Sequence, residues 1–279
     1  MGSVITLTTD FGLNDAYVSA MKGVILGINP EAKLVDICHT IKPQNILQAA
    51  FVLSTVYEYF PEGTVHLVVV DPGVGTERKA VILKTSQAYY VAPDNGVLSY
   101  IIRDFNNKSN GENEKQHKRE TIPQLEAVAI TRSEFWRSPV SPTFHGRDIL
   151  APVAAQLSLG LPFSEFGEKM TSLTVLPYPR PYRKPDGSLV GHIIHIDNFG
   201  NLITDIKSSD LTELNVTINI ANRFISGLSK TYAEGNGLIA LIGSSRYLEI
   251  SIYGDNAGEF LNAHIGDEVT VEFKKKINL

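Results

Sequence analysis

Val65-His66-Leu67-Val68-Val69-Val70-Asp71 is the stretch that decides the fold. Apart from His66 it is apolar up to the closing carboxylate, with no polar alternation. Such a run reads as a strand covered on both faces, the mark of a parallel sheet. The sequence before it alternates. Val4-Ile5-Thr6-Leu7-Thr8 reads as a strand. A helical stripe follows at Tyr17, Met21, Val24 and Ile28 and stops at Pro30. Leu34-Val35-Asp36-Ile37 is a short strand. A second helix carries Ile46, Ala49, Leu53, Tyr57 and Phe60 on one face and ends at Pro61-Glu62-Gly63. Strand, helix, strand, helix, strand implies right-handed crossovers and a parallel sheet. Further strands are expected at 80–84, 89–91 and 127–131. A last helix should run from near Asp148 to Leu159, with Pro152 close to its first turn and Gly160 as its stop.

The character changes at Leu176-Pro177-Tyr178-Pro179-Arg180-Pro181, where three prolines in six residues favour an extended linker. Beyond it the pattern is short strands at 189–196, 202–206, 216–220, 238–242, 247–252 and 268–273. Asp186-Gly187, Gly235-Asn236-Gly237 and Gly254-Asp255-Asn256 punctuate them. The fold class is therefore α/β. An N-terminal α/β domain with a mainly parallel central sheet is expected over residues 1–176 and a Pro-rich linker over 177–187. A C-terminal antiparallel β-barrel is expected over 188–279.

Composition agrees. At 279 residues and 43% hydrophobic, the chain can bury a core in each of about two domains. One cysteine, Cys38, excludes an intramolecular disulfide framework and fits a reducing compartment. A net charge of −5 argues against a broad nucleic-acid surface. No apolar stretch is long enough to span a membrane, and the N-terminus does not read as a signal peptide, so a cytoplasmic location is expected. Residues 106–121 hold four basic and three acidic side chains and no aliphatic, Phe, Tyr or Trp residue, and read as a solvated loop insertion. No metal-ligand spacing is present: His192 and His195, three apart in a strand, face opposite ways. No metal is expected.

Ligands of parallel sheets bind beyond the carboxyl ends of the strands, where Asp10, Asp36, His39 and Asp71 fall. Asp15 lies near the start of the first helix. Asp71-Pro72-Gly73-Val74-Gly75-Thr76-Glu77-Arg78 is the most informative octet. Its glycines admit a close backbone approach and its amides suit an anion nest. It lacks the third glycine of a dinucleotide fingerprint and the Gly-Lys-Ser/Thr of a P-loop. Asp71 and Arg78 can pair across this turn. Phe144-His145-Gly146-Arg147-Asp148 precedes the last helix, where backbone N–H groups are unpaired. Asp197-Asn198-Phe199-Gly200-Asn201 offers a carboxylate, an aromatic face and an amide, and Gly243-Ser244-Ser245-Arg246-Tyr247 offers hydroxyls and amides. Each segment reads equally well as structure alone: an Asx-turn at Asp10, a turn at Asp71, a capping loop at His145, and plain turns at Asp197 and Ser244.

Five stretches together resemble one family: Thr8-Thr9-Asp10-Phe11-Gly12, Asp71 to Arg78, Ala92-Pro93-Asp94-Asn95-Gly96-Val97-Leu98, Phe144 to Asp148, and Asp197 to Asn201. In this order, over nearly the whole chain, they are similar to the S-adenosyl-L-methionine hydroxide adenosyltransferases, relatives of fluorinating and chlorinating enzymes. The resemblance implies conversion of S-adenosyl-L-methionine and water to adenosine and L-methionine, with no cofactor. It implies a homotrimer whose sites lie between subunits; from charge and hydropathy, neither nucleic acid nor membrane is expected as a partner. It implies a catalytic set of Asp71, Arg78 and His145. Asp10 would grip the ribose diol, with Asp15 a nearby contact. Asp197, Phe199 and Asn201 would contact substrate, Asn201 at adenine, and Ser244 and Ser245 would contact the methionine. The rival readings are a halogenase, a non-catalytic binder of adenosine or S-adenosyl-L-methionine, and a metal hydrolase using Asp10, Asp71 and His145.

Overall fold

A computed structural model of the chain describes residues 3–110, 126–211 and 215–273. The chain divides into two units, Met1–Leu176 and Pro177–Leu279. The first is built on a seven-stranded sheet. Its strands are β1 (Val4–Thr9), β2 (Lys33–Cys38), β3 (Thr64–Val69), β4 (Ala80–Lys84), β5 (Ala88–Pro93), β6 (Glu126–Ile130) and β7 (Gly167–Met170). They lie in the order β2-β1-β3-β5-β4-β6-β7. Pairing is parallel from β2 through β5 and antiparallel beyond, so only β4 and β7 run against the rest.

The opening run lies inside this sheet, between β1 and β5, and all of β3 is buried. Val65, Leu67 and Val69 pack with Met21 and Ile25 of α1 (Tyr17–Ile28) and with Val153 and Leu157 of α4 (Ala151–Ser158). On the opposite face Val68 and Val70 pack with Ala49 and Leu53 of α2 (Ile46–Ser54) and Ile101 of α3 (Ser99–Asn110). Each such side chain contributes about 1.5–3 kcal/mol on full burial, which is why this run carries no polar alternation. His66 is fully buried; its Nδ1 lies 2.8 Å from Thr6 Oγ1 and its ring stacks on Tyr90 at 5.0 Å. Burial pushes its pKa down to about 4, so the ring is neutral.

Two boundaries differ from those read in the sequence, and one helix was not read there at all. The helix expected to reach Phe60 stops at Ser54, and a separate 3-10 turn covers Tyr57–Tyr59. Ser54 and Thr55 hydroxyls donate to the carbonyls of Phe51 and Val52 (2.7 and 2.8 Å) and compete with the helical ladder. The last helix opens earlier, with a π-helical turn over Gly146–Leu150 that leads into α4. Helix α3, Ser99–Asn110, is the one not read in the sequence, and it makes the first part of the polar stretch 106–121 helical rather than loop. The remainder of that stretch lies outside the described residues.

The second unit is an antiparallel sheet of eight strands. These are β8 (Tyr182–Arg183), β9 (Leu189–Ile196), β10 (Leu202–Lys207), β11 (Val216–Ile220), β12 (Arg223–Ser226), β13 (Leu238–Ile242), β14 (Tyr247–Ile252) and β15 (Glu268–Phe273). The order is β12-β11-β15-β9-β10-β14-β13, with β8 on β9. Ser229 N–H donates to the Ala240 carbonyl of β13 (2.8 Å), so the chain leaving one end strand is stitched to the other and the sheet is nearly closed. One core, with Ile193, Leu202, Ile218, Leu248 and Val271, fills it. Three short strands escaped the sequence reading: β7 in the first unit, β12, and β8 inside the Pro-rich stretch.

Candidate active site

The register of β1 on β3 pairs Thr9 with Val69. Asp10 and Asp71 therefore leave neighbouring strands at the same sheet edge. Asn95 Nδ2 donates to the Val70 carbonyl (2.8 Å) and holds the end of β3 just before Asp71. The octet then turns back on itself. Gly75 has φ +78°, and a Cβ there would lie 2.5 Å from the Pro142 carbonyl oxygen. Only glycine allows both the left-handed backbone and that approach. The turn delivers Arg78 onto Asp71: Nε donates to Oδ1 at 2.8 Å and Nη2 donates to Oδ2. Both side chains are close to buried, at 11% and 6% exposure.

The same Nη2 lies 3.2 Å from His145 Nδ1. A guanidinium only donates, so Nδ1 accepts and the neutral ring carries its proton on Nε2. Burial and the Arg78 charge hold the His145 pKa below its ordinary value, against Asp71 and Asp148. The fold thus brings Asp71, Arg78 and His145 into one contact chain. Its chemistry is a fixed cation beside a carboxylate, with an imidazole N–H available as donor.

Asp10 takes the Gln44 N–H on Oδ2 at 2.8 Å. Its loop is braced by His39, buried, whose Nδ1 lies 2.9 Å from Thr9 Oγ1 and whose carbonyl accepts the Gly12 N–H at 2.7 Å. Phe11, Tyr17 and Phe144 form an aromatic trio with centroids 5.2–5.6 Å apart, which joins the Asp10 loop to the residue before His145. Asp15 is exposed and precedes Ala16, the N-cap of α1, so it lies outside the first helical turn.

In the second unit the Asp197 turn is closed on itself. Asp197 Oδ1 accepts the N–H groups of Phe199 and Asn201 (both 2.9 Å), and Oδ2 accepts Asn201 Nδ2 (2.9 Å). Asn201 is buried while Phe199 is 76% exposed. Ser244 and Ser245 occupy the β13–β14 turn. The ladder pairs Leu202 with Ile250 and Lys207 with Tyr247, so the two turns lie at opposite ends of β10–β14. Between them is a feature missed in the sequence. Glu249, buried on the face away from the barrel core, accepts Tyr232 OH at 2.7 Å. Burial, Glu249 and Asp197 push the tyrosine pKa up to about 12. An acidic residue between Leu248 and Ile250 was the available signal. Asn95 was also missed as a brace, although its motif was quoted. Among the described residues no group of three or more His, Cys, Asp or Glu is placed to hold a metal ion. Among them, too, no helix is long and apolar enough to cross a membrane.

Two family models match: the SAM hydroxide adenosyltransferase N-terminal domain over residues 5–167 and the C-terminal domain over residues 191–270. The chain belongs to the SAM hydroxide adenosyltransferase family. The Asp71–Arg78–His145 cluster lies in the first matched segment of that family and the Asp197 turn in the second. A relative from Methanocaldococcus jannaschii named (R)-S-adenosyl-L-methionine hydrolase is 37% identical, covering 96% of this chain and 95% of its own length. A fluorinase from Nocardia brasiliensis is 27% identical, covering 89% of each chain. The crystal structure of an uncharacterized conserved protein from Thermotoga maritima superposes with a TM-score of 0.84 at 34% identity, over 96% of this chain and 99% of that one.

Proposed function

We propose that this chain hydrolyses S-adenosyl-L-methionine to adenosine and L-methionine. The observation that carries the reading is the contact chain Asp71–Arg78–His145 at the carboxyl edge of the sheet, in a family whose relatives include a named hydrolase of this sulfonium. Water attacks C5′ in line with the sulfur. The O–C5′ bond forms and the C5′–S bond breaks, with its electron pair leaving on sulfur. Methionine departs as a neutral thioether, so the leaving group needs no general acid and the reaction needs no cofactor. The task is to orient water and to favour its hydroxide character. Arg78 stabilises the charge that develops on the attacking oxygen, His145 directs it with Nε2–H, and Asp71 is the group that can take its proton. In this reading Asp10 grips the ribose diol, with Asp15 nearby. Phe199 and Asn201 contact the nucleoside, Asp197 shapes that turn, and Ser244 and Ser245 hold the methionine end. The exposed ring of Phe199 supports a homotrimer in which this turn completes a neighbour's site. The acidic charge and the single cysteine support a cytoplasmic enzyme without a nucleic-acid or membrane partner.

The fluorinase relative makes halogenation the second reading. A halide wants a small, largely neutral pocket, whereas Asp71 and Arg78 place full charges at the site, which supports water. Purified protein is incubated with S-adenosyl-L-methionine in heavy-oxygen water, with and without fluoride or chloride. Adenosine labelled at the 5′-hydroxyl is the expected product. Halogenated adenosine, or substrate bound and unchanged, overturns the proposal, and loss of turnover with chelator transfers it to a metal hydrolase.

A further inference from the structure

Asp148 follows His145 by three residues and is completely buried. Its carboxylate collects four hydrogen bonds. Oδ1 accepts Arg147 Nε–H (2.7 Å) and Arg137 Nη1–H (3.3 Å), and Oδ2 accepts Arg147 Nη2–H (2.7 Å) and the Ser141 N–H (2.8 Å). Burial pushes this carboxyl up, but Arg147, the Ser141 amide and Arg137 outweigh it and hold the group below the ordinary carboxylate value. The backbone joins in. Pro152 has no N–H to give the carbonyl four residues before it. That carbonyl, Asp148's own, accepts the Arg137 N–H at 2.8 Å. Both ends of segment 137–141 are therefore tied to one residue. The next residue, Pro142, turns its carbonyl onto Gly75, in the turn that folds Arg78 over Asp71. Gly146 packs on β3, where a Cβ would lie 2.9 Å from Val69 Cγ1.

We infer that Asp148 is a positioning residue: it locks segment 137–142 between the helix start that carries His145 and the turn that carries Arg78, and so sets the contact between them. As a statement about turnover this rests on the hydrolytic reading above. As a statement about geometry it does not. A buried carboxylate satisfied by a bidentate guanidinium has one low-energy arrangement, and that rigidity is what an in-line attack requires.

The test is Asp148→Asn in the full chain, which keeps shape but opposes amide donors to the Arg147 fork. Two readouts are taken: steady-state adenosine formation, and the histidine ring nitrogen NMR signals that report the tautomer of His145. In a folded variant kcat is expected to fall about 10²-fold with KM within about twofold, the cost of a misplacement near 1 Å. The His145 Nε2–H signature is expected to give way to a tautomer mixture. An unchanged tautomer signature, or kcat within about threefold of the parent, overturns the inference. Should the Asn variant not fold, Arg147→Gln, a half-exposed partner of the same carboxylate, is judged on the same two readouts. Should the parent not release adenosine, the hydrolytic reading falls and the ring signature alone decides.

Discussion

Arg78 meets Asp71 as one fork on another, Nε–H on Oδ1 at 2.8 Å and Nη2–H on Oδ2, while the same Nη2 reaches His145 Nδ1 at 3.2 Å. One planar guanidinium thus fixes a carboxylate on one side and the tautomer of an imidazole on the other. An ammonium, with its three donors on one nitrogen, has no such fixed planar fork.

Arg78→Lys and Arg78→Ala are expected to lower kcat about 10²–10³-fold, the usual cost of removing one preorganised donor from developing charge. KM for S-adenosyl-L-methionine should move only a few-fold. Steady-state adenosine formation checks this, and unchanged turnover removes Arg78 from the mechanism.

Burial and Arg78 keep His145 below its ordinary pKa of 6.5. The neutral ring therefore persists to more acidic pH than a free histidine allows. As pH falls from 7, kcat/KM should stay level through 6.5 and drop only below it, when protonation removes the acceptor for Arg78. In His145→Gln the acid limb should disappear. An acid limb at 6.5 or above in the parent contradicts the assignment.

His66 ties stability to pH. Its folded pKa of about 4 lies below its ordinary 6.5. The unfolded chain therefore takes up the proton first. Stability is complete above 6.5 and is lost as pH falls toward 4, by roughly 3 kcal/mol in total. Urea unfolding at pH 7.5 and 4.5 should show this loss in the parent and a smaller one in His66→Gln. Equal losses in both would refute it.

Gly200 has φ +84°, and a Cβ there would lie 2.0 Å from Asn256 Oδ1. Asn256 caps the short helix Ala257–Leu261 by accepting the Glu259 N–H at 2.9 Å. Gly200→Ala should cost roughly 2–3 kcal/mol through left-handed strain and a disturbed cap. It should also raise KM, because Asp197, Phe199 and Asn201 share the turn. A thermal melt with an unchanged midpoint rejects this.

The architecture was legible wherever periodicity was strong. The run from Val65 to Val70 announced a doubly covered strand, and its alternate residues do face two cores. Element ends were less legible. Hydroxyl-to-carbonyl bonds at Ser54 and Thr55 compete with the ladder at the end of a helix that its apolar stripe continues, and such bonds leave no mark in a hydrophobic pattern. β7, β12 and β8 were invisible because strands of four, four and two residues are too short for a period to register.

For the site, residue identities were in the sequence and geometry was not. The octet and Phe144 to Asp148 named Asp71, Arg78 and His145 as resembling a catalytic set. Each segment alone read equally well as a turn or a cap. Nothing in the neighbours of Asp148 says that an Arg fork and the Ser141 amide converge on it. Likewise Glu249 became a partner of Tyr232 only when the segment after β12 folded over β14.

Local chemistry therefore determined which residues can do what: strands from unbroken apolar runs, turns from glycine and proline, candidate acids and bases from residue type. Tertiary structure decided which of them meet. Arg78 and His145 are separated by several strands and helices, and only the packing of Gly75 under Pro142 and of Gly146 on Val69 brings them to 3.2 Å. Contacts of that kind depend on volumes and angles summed over many residues, which no local pattern encodes.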